Sequence, residues 1–253
     1  MKYGYMPYPD SDLISEVEFA KRYFDFMEVT SSLDPSRYGP SQILGIRRVL
    51  GGYPVLGHVH WDISLPDDLE LMYKSIDFFI DIGAYAVTIH TDPNIGGILP
   101  AIYDYCRDNG IDLLIENPPS KPYNVASRFR ELISDLPGIG VTMDIGHLMK
   151  SPVGELDRFM ETFRGRIRHI HLHDSIDGFD HLFFLNVDRL RRIMGKIASI
   201  GYHGTITLEM ALIYVDGSLR PLEGGERRSR LIEELRLVKG IAESLGLVSQ
   251  PKE

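Results

Sequence analysis

Residues 169–174 read HIHLHD, three histidines in six positions closed by an aspartate. In an extended strand side chains alternate, so His169, His171 and His173 share one face and Ile170 and Leu172 the other. Neutral imidazole is the commonest metal ligand. A ladder of imidazoles is therefore either a polar strand face satisfied by its neighbours or part of a metal site. His58-Val59-His60 repeats the spacing, and two histidines at i, i+2 on a strand can chelate one ion. Other short apolar runs end in the same kind of residue. In chain order they close on Glu28, His58 with His60, His90, Glu116, Asp144, His171 with His173, and Glu209. Buried charge is costly unless paired or metal-bound, so strands built only for packing have no need of such endings. In MDIGH, Asp144 and His147 would face opposite ways on a continued strand; Gly146 lets the chain turn and His147 swing back over the strand end. The donors are carboxylates and imidazoles without thiolate. That set suits Zn²⁺, Mn²⁺, Co²⁺ or Fe²⁺ and disfavours a closed structural zinc site.

The elements that position these residues alternate along the chain. Strand-like runs span 3–6, 25–29, 55–60, 85–90, 111–116, 140–145, 167–173 and 205–209. Between them, Leu69, Met72, Tyr73, Ile76, Phe79 and Ile80 keep the spacing of an amphipathic helix, as do Leu231, Leu235, Val238, Ile241 and Leu245 near the end. Eight strand–helix units without a linker predict one domain over 1–248, a closed (β/α)₈ TIM barrel, then a short tail, 249–253. An open doubly wound sheet is the competing architecture, but no GxGxxG follows the first strand. Active sites of such barrels lie at the C-terminal strand ends, so the polar endings should converge on one mouth.

Composition narrows the function. The 253 residues are 43% hydrophobic and 25% charged, as in ordinary globular proteins, and the net charge is −9. An acidic balance argues against a nucleic-acid surface, though a local basic patch could coexist with it. One cysteine, Cys106, permits no internal disulfide and reads as a buried small hydrophobe in a reducing cytoplasm. No apolar leader and no run of about 18 apolar residues is visible, so no membrane span is expected. His169, a layer deeper than His171, reads as a hydrogen-bonded core histidine and His203 as a surface one.

Together these motifs resemble the xylose isomerase-like superfamily of TIM barrels, over essentially the whole chain. That superfamily includes sugar isomerases and epimerases, inositol-catabolism enzymes and the endonuclease IV class of AP endonucleases. The resemblance implies a divalent metal held by Glu116 in LLIENPP, Asp144 in VTMDIGH, His171 in HLHD and Glu209 in ITLEM. His147 matches the histidine of the family's D-x-x-H, which binds substrate in epimerases or a further metal in the endonucleases. His58 in VLGH and His90 in VTIH resemble two further zinc ligands of the endonuclease class, and His181 in DGFDH falls near its third-metal pair. One to three ions are thus implied.

Two functions fit. In a sugar or sugar-phosphate isomerase or epimerase, Glu116 and Glu209 would shuttle a proton beside a carbonyl. In an endonuclease IV-like phosphodiesterase, two or three zinc ions would act on abasic DNA. A metal- or ligand-binding barrel without turnover is a third reading. The loops favour sugar chemistry. The first reads YGYMPYPDSD, the fifth is the proline-stiffened NPPSKPYN, and HLFFLNVD has Phe183, Phe184 and Leu185 where the endonuclease class has glycines. That last loop is expected to be a lid or a subunit contact, which leaves an oligomer open. Further expectations are that Arg227 and Arg228, in GGERRSR, grip a sugar phosphate or merely form a solvated basic turn; that Trp61 walls a sugar ring or packs in the core; and that His60 and His173 touch substrate or support the metal ligands.

Overall fold

Eight parallel strands close into a barrel in the computed structural model, which describes residues 1–9, 11–33, 35–63, 67–215 and 218–247. The strands are β1 (Lys2–Tyr5), β2 (Phe26–Thr30), β3 (Val55–His58), β4 (Ala86–His90), β5 (Asp112–Glu116), β6 (Gly140–Asp144), β7 (Ile167–Leu172), β8 (Asp174–Ile176), β9 (Phe179–Leu182), β10 (Thr205–Leu208), β11 (Leu212–Val215) and β12 (Ser218–Pro221). The barrel order is β1-β10-β7-β6-β5-β4-β3-β2. Each expected strand is a barrel strand, although β3 stops before His60, β7 before His173 and β10 before Glu209. The expected tail, 249–253, lies outside the described residues.

Helices α1 (Leu13–Tyr23), α2 (Pro40–Leu50), α3 (Leu69–Ile82), α4 (Leu99–Asp108), α5 (Ala126–Leu132), α6 (Ile145–Met149), α7 (Glu155–Phe163), α8 (Val187–Ser199) and α9 (Gly224–Ser244) follow the strands. Helix α3 buries Met72, Ile76, Phe78, Phe79 and Ile82, and stops at Gly83 in the left-handed region with φ 84°. It lies so close to β3 that a Cβ on Gly57 would stand 2.4 Å from the Phe79 ring; only glycine permits that approach. Helix α9 buries Leu231, Leu235, Val238 and Ile241, whereas Leu245 falls past its end and is exposed. Among the described residues no helix is long and apolar enough to cross a membrane.

The main core fills the space between barrel and helices. A separate cluster of Phe26, Leu56, Ala86 and Leu114 floors the barrel. Above it the Thr88 and Thr142 hydroxyls bond at 2.8 Å. A second sheet, β12-β11-β9-β8, built from the loops after β7 and β10, was not anticipated from sequence. It overturns the expected lid. Leu182 pairs with Leu212, and the Phe183 N–H donates to the Leu212 carbonyl, so Phe183 and Phe184 turn into the core and only Leu185 is exposed.

Candidate metal centre

Period-two alternation carries each floor residue to a polar one two steps further up the same strand. Phe26 leads to Glu28, Leu56 to His58 and Leu114 to Glu116, all buried. The Glu28 carboxylate accepts from the Thr207 hydroxyl at 2.6 Å and lies 2.9 Å from His169 Nε2 and 3.0 Å from His171 Nε2. Burial alone would raise Glu28, but His171 and His169 hold it well below the usual carboxylate range. An ionised Glu28 only accepts, so the Nε2–H of His171 donates to it and Nδ1 is presented to the mouth. His169 also reaches the Thr205 hydroxyl at 2.7 Å, as a core histidine should.

The carboxylates gather around His171 Nδ1. Glu209 Oε2 lies 3.0 Å away, Glu116 Oε2 3.4 Å and Asp144 Oδ2 3.7 Å. His171 Nδ1 and Glu209 Oε2 are both buried without a hydrogen-bond partner. Two orphaned nitrogen and oxygen donors aimed at each other, with two more carboxylates beside them, fit a divalent cation. Burial would raise Glu209, yet His171 and His181 hold it at about 2; Glu116 and Asp144 are likewise held well below their usual range by neighbouring imidazoles against the burial effect.

A second group shares Glu116. His58 Nε2 is 3.1 Å and His90 Nε2 3.4 Å from Oε2, and His147 Nδ1 is 3.2 Å from Oε1. His58 Nδ1 lies 2.9 Å from the Val59 carbonyl. That bond takes the Nδ1 proton and leaves Nε2 facing a carboxylate, an arrangement that calls for a proton or a cation between them. Asn117, which sequence reading passed over, fixes the ends of β5 and β6. Its side-chain amide donates to the Asp144 carbonyl at 3.0 Å and its carbonyl accepts the Asp144 N–H at 2.9 Å. Asp144 also caps α6 through the His147 N–H at 2.6 Å, which brings His147 over the mouth. Burial would lower His147, but Asp144, Glu116 and Glu209 raise it to about 10.

A third group lies toward the loop sheet, where His147, His173 and His181 could offer ligand atoms to one ion. Asp180 joins them, with Oδ2 3.8 Å from His147 Nε2 and Oδ1 3.8 Å from His181 Nε2, while Lys150 pairs with it at 2.7 Å. Neighbours on a regular strand point to opposite faces, but His181 sits at φ 56°, and this kink lets both Asp180 and His181 reach the mouth. Alternation in the sequence could not reveal that. His173 Nδ1 lies 2.9 Å from the His181 N and 3.1 Å from the Asp174 carbonyl, and because Asp144 is held ionised and only accepts, the His173 Nε2–H donates to Asp144 Oδ2 at 2.9 Å. His173 thereby holds the Asp144 carboxylate. Gly146 makes room for it, since a Cβ there would stand 1.9 Å from the His173 ring. The expected role for Gly146 was freedom to turn; the structure instead needs its missing side chain.

Over these groups lies a cavity of about 730 Å³, walled by Trp61, His90, Pro118, Pro119, Asp180, Glu209 and Arg227 among others. Trp61 is half-exposed and stacks on His60 at 4.2 Å between centroids. The His60 Nδ1 accepts the Asp62 N–H at 3.2 Å, and His60 is buried behind Trp61 rather than among the residues that line the cavity. The expectation for Arg228 is corrected: its guanidinium bonds to Ser15 and Glu16, both at 3.0 Å, and it does not line the cavity. His203 is exposed.

Fold and site together define a parallel (β/α)₈ barrel with a nitrogen- and oxygen-donor site at the C-terminal ends of its strands. Within that class the chain belongs to the xylose isomerase-like TIM barrel family, whose model matches residues 56–233. No curated protein sequence matches it. A xylose isomerase domain protein from Planctomyces limnophilus is similar with a TM-score of 0.75 at 14% identity, over 98% of this chain and 99% of that one. Endonuclease IV from Thermus thermophilus gives 0.65 at 18% identity, over 96% and 100%. D-Psicose 3-epimerase from Clostridium cellulolyticum, solved with D-tagatose, gives 0.66 at 14%, over 98% and 99%. At these identities the likeness is one of fold.

Proposed function

We propose that the chain is a divalent-metal-dependent isomerase or epimerase of a small sugar. The observation that carries this reading is the pairing of a small, proline-framed cavity with two carboxylates, Glu116 buried and Glu209 partly exposed to the cavity. Glu116 and Glu209 stand at the ends of β5 and β10, three strands apart in the barrel order, and both approach His171 Nδ1. Trp61, Pro118 and Pro119 supply flat apolar walls suited to a ring or carbon chain, and among the described residues Arg227 is the one Lys or Arg that lines the cavity. That wall suits a single small molecule better than a duplex, whose grip needs many basic contacts.

Glu116, Asp144, His171 and Glu209 would hold the ion, with Glu28 orienting His171 and His173 orienting Asp144. A bound divalent ion, of the Zn, Mn, Co or Fe type, supplies polarisation of the sugar carbonyl and its neighbouring hydroxyl. Glu209, ionised and with a free oxygen, would take the proton from the carbon beside the carbonyl. Glu116, ionised at rest, would receive a proton from the charged His147, whose Nδ1 lies 3.2 Å from its Oε1, and return it to that carbon or to the adjacent one. His147 and His90, at the rim of the cavity, would hold sugar hydroxyls.

The test is isotopic. A ketose incubated with metal-loaded protein in heavy water should gain deuterium beside its carbonyl, and Glu116→Gln or Glu209→Gln should abolish the gain. A broad ketose panel without exchange would sink the reading. A second reading, an endonuclease IV-like phosphodiesterase, is favoured by the surplus of donors, namely His58 and His90 on Glu116, and His147 with Asp180 and His181. It requires two or three tightly bound zinc ions per chain and cleavage of an abasic duplex. Metal binding with neither activity would leave a non-catalytic barrel.

A further inference from the structure

Arg227 sits in the first turn of α9 and is 7% exposed. Its Nε donates to the Met210 carbonyl at 2.9 Å and its Nη2 to the Met6 carbonyl at 2.7 Å, and its Cζ lies 4.3 Å from the centre of the Tyr8 ring. These contacts fix the guanidinium as a rigid plate between the loops after β1 and β10. They do not neutralise it. Among the described residues no carboxylate lies within salt-bridge distance of Arg227, and Glu16 and Glu209 favour its charge only from further off, whereas the adjacent Arg228 is paired with Glu16. Nη1 makes no hydrogen bond among the described residues. A guanidinium stays charged at any physiological pH, and a buried charge without a counter-ion is expensive.

The countercharge has somewhere to come from. Arg227 lines the same cavity as Glu209, His181 and Trp61. The α9 N-terminus beside it receives no side-chain cap from Glu223, so its backbone N–H groups add positive potential at the same wall. Both features attract an anion, and a flat guanidinium with spare N–H groups matches a phosphate or carboxylate. Candidate metal donors and a buried cation without a salt bridge, lining one cavity, mark two ends of one ligand. Resting on the sugar reading above, we propose that Arg227 anchors an anionic group, phosphate ester or carboxylate, carried by the small polyol that this site processes. The substrate is then a sugar phosphate or a sugar acid in place of a neutral sugar. Glu223, exposed on the same rim, disfavours anions and limits how tightly they bind.

Trp61, the only tryptophan in the chain, lines the cavity and reports on it. Full-length metal-loaded protein is titrated with glycerol, glycerol 3-phosphate and glycerate while its fluorescence is followed. One or both anionic ligands should bind about tenfold or more tighter than glycerol, and the better of the two identifies phosphate or carboxylate as the anchored group. Arg227→Met should abolish the preference. Arg236→Met, which removes an exposed charge elsewhere on α9, should preserve it. Glu223→Gln should tighten anion binding several-fold and leave glycerol unchanged. Equal affinity for all three ligands overturns the proposal. So does a preference that survives in Arg227→Met, because the anion would then sit on the metal. If Arg227→Met does not fold, an unchanged anion affinity in Glu223→Gln overturns it. The two readings fail separately. Arg227-dependent anion binding with no ketose exchange in heavy water sinks the isomerase and keeps the anchor. Neutral ketoses that exchange with the same kcat/KM as their phosphates and acids sink the anchor and keep the isomerase.

Discussion

The floor and the mouth of the barrel are built by the same strands, two residues apart, and carry opposite chemistry. At the floor, Phe26, Leu56, Ala86 and Leu114 form a closed apolar cluster. One step higher on the same inward face stand Glu28, His58, Thr88 and Glu116, all buried. The floor gains stability from burial, roughly 1.5–3 kcal/mol for each large side chain. The mouth spends stability to desolvate charges, and recovers part of it by placing every carboxylate against an imidazole. The contrast shows how one scaffold separates folding from function: the lower layer secures closure, and closure forces the upper layer together.

The strongest way to break the comparison is to remove a donor at the mouth. His171→Ala or Asp144→Ala should abolish tight metal binding, with affinity down by about 100-fold or more, and should also lower the stability of the metal-free protein, because each leaves buried charged partners unpaired. Elemental analysis reads the first effect and calorimetry the second. Metal stoichiometry equal to wild type in both variants would remove these residues from the centre. At the floor, Leu56→Ala should destabilise the fold by roughly 2–5 kcal/mol in denaturant titrations, with metal per folded chain unchanged.

Glu28 tests the boundary between the layers. Glu28→Leu removes the acceptor that directs His171 Nδ1 toward the mouth and should weaken metal binding by about 10–100-fold. Glu28→Gln keeps an acceptor oxygen and should recover part of it. Equal metal affinities in wild type and both variants would make Glu28 a packing residue only.

The smallest effect sharpens the comparison outside the barrel. Glu234, buried on α9, is pushed up to about 7 by burial, with Arg230 and the Phe184 backbone opposing only in part. No imidazole compensates it as at the mouth. Its folded value lies above its unfolded one, near 4.5. The native state therefore holds the proton more tightly, and stability falls as pH rises from about 4.5 through about 7. Glu234→Gln should flatten that slope and stabilise the protein at pH 8 by roughly 1–3 kcal/mol. A stability difference between variant and wild type that does not vary from pH 5 to 8 would contradict the assignment.

The sequence by itself determined which residues face inward and how high each stands. Alternation is a property of the strand alone, so the eight strand runs and the set Glu28, His58, His90, Glu116, Asp144, His171 and Glu209 could be read before any contact was known. Repeated strand–helix units made closure the expected architecture for the same reason. What only the tertiary structure decided is which donors meet. Glu28 and His169 are 141 positions apart in sequence, and no local period reports that β2 and β7 bring them together across the barrel. The same holds for His173, which proved to support Asp144 through space left by Gly146, and for Asp180, admitted by the backbone kink at His181. It holds also for Phe183 and Phe184, drawn into the core by a strand pairing between two loops. Arg227 and Arg228 are adjacent in the chain, yet among the described residues one lines the cavity without a salt bridge and the other pairs with Glu16. Their helix directs successive side chains about 100° apart, and only the packing of α9 against the barrel fixes which of those directions is the cavity.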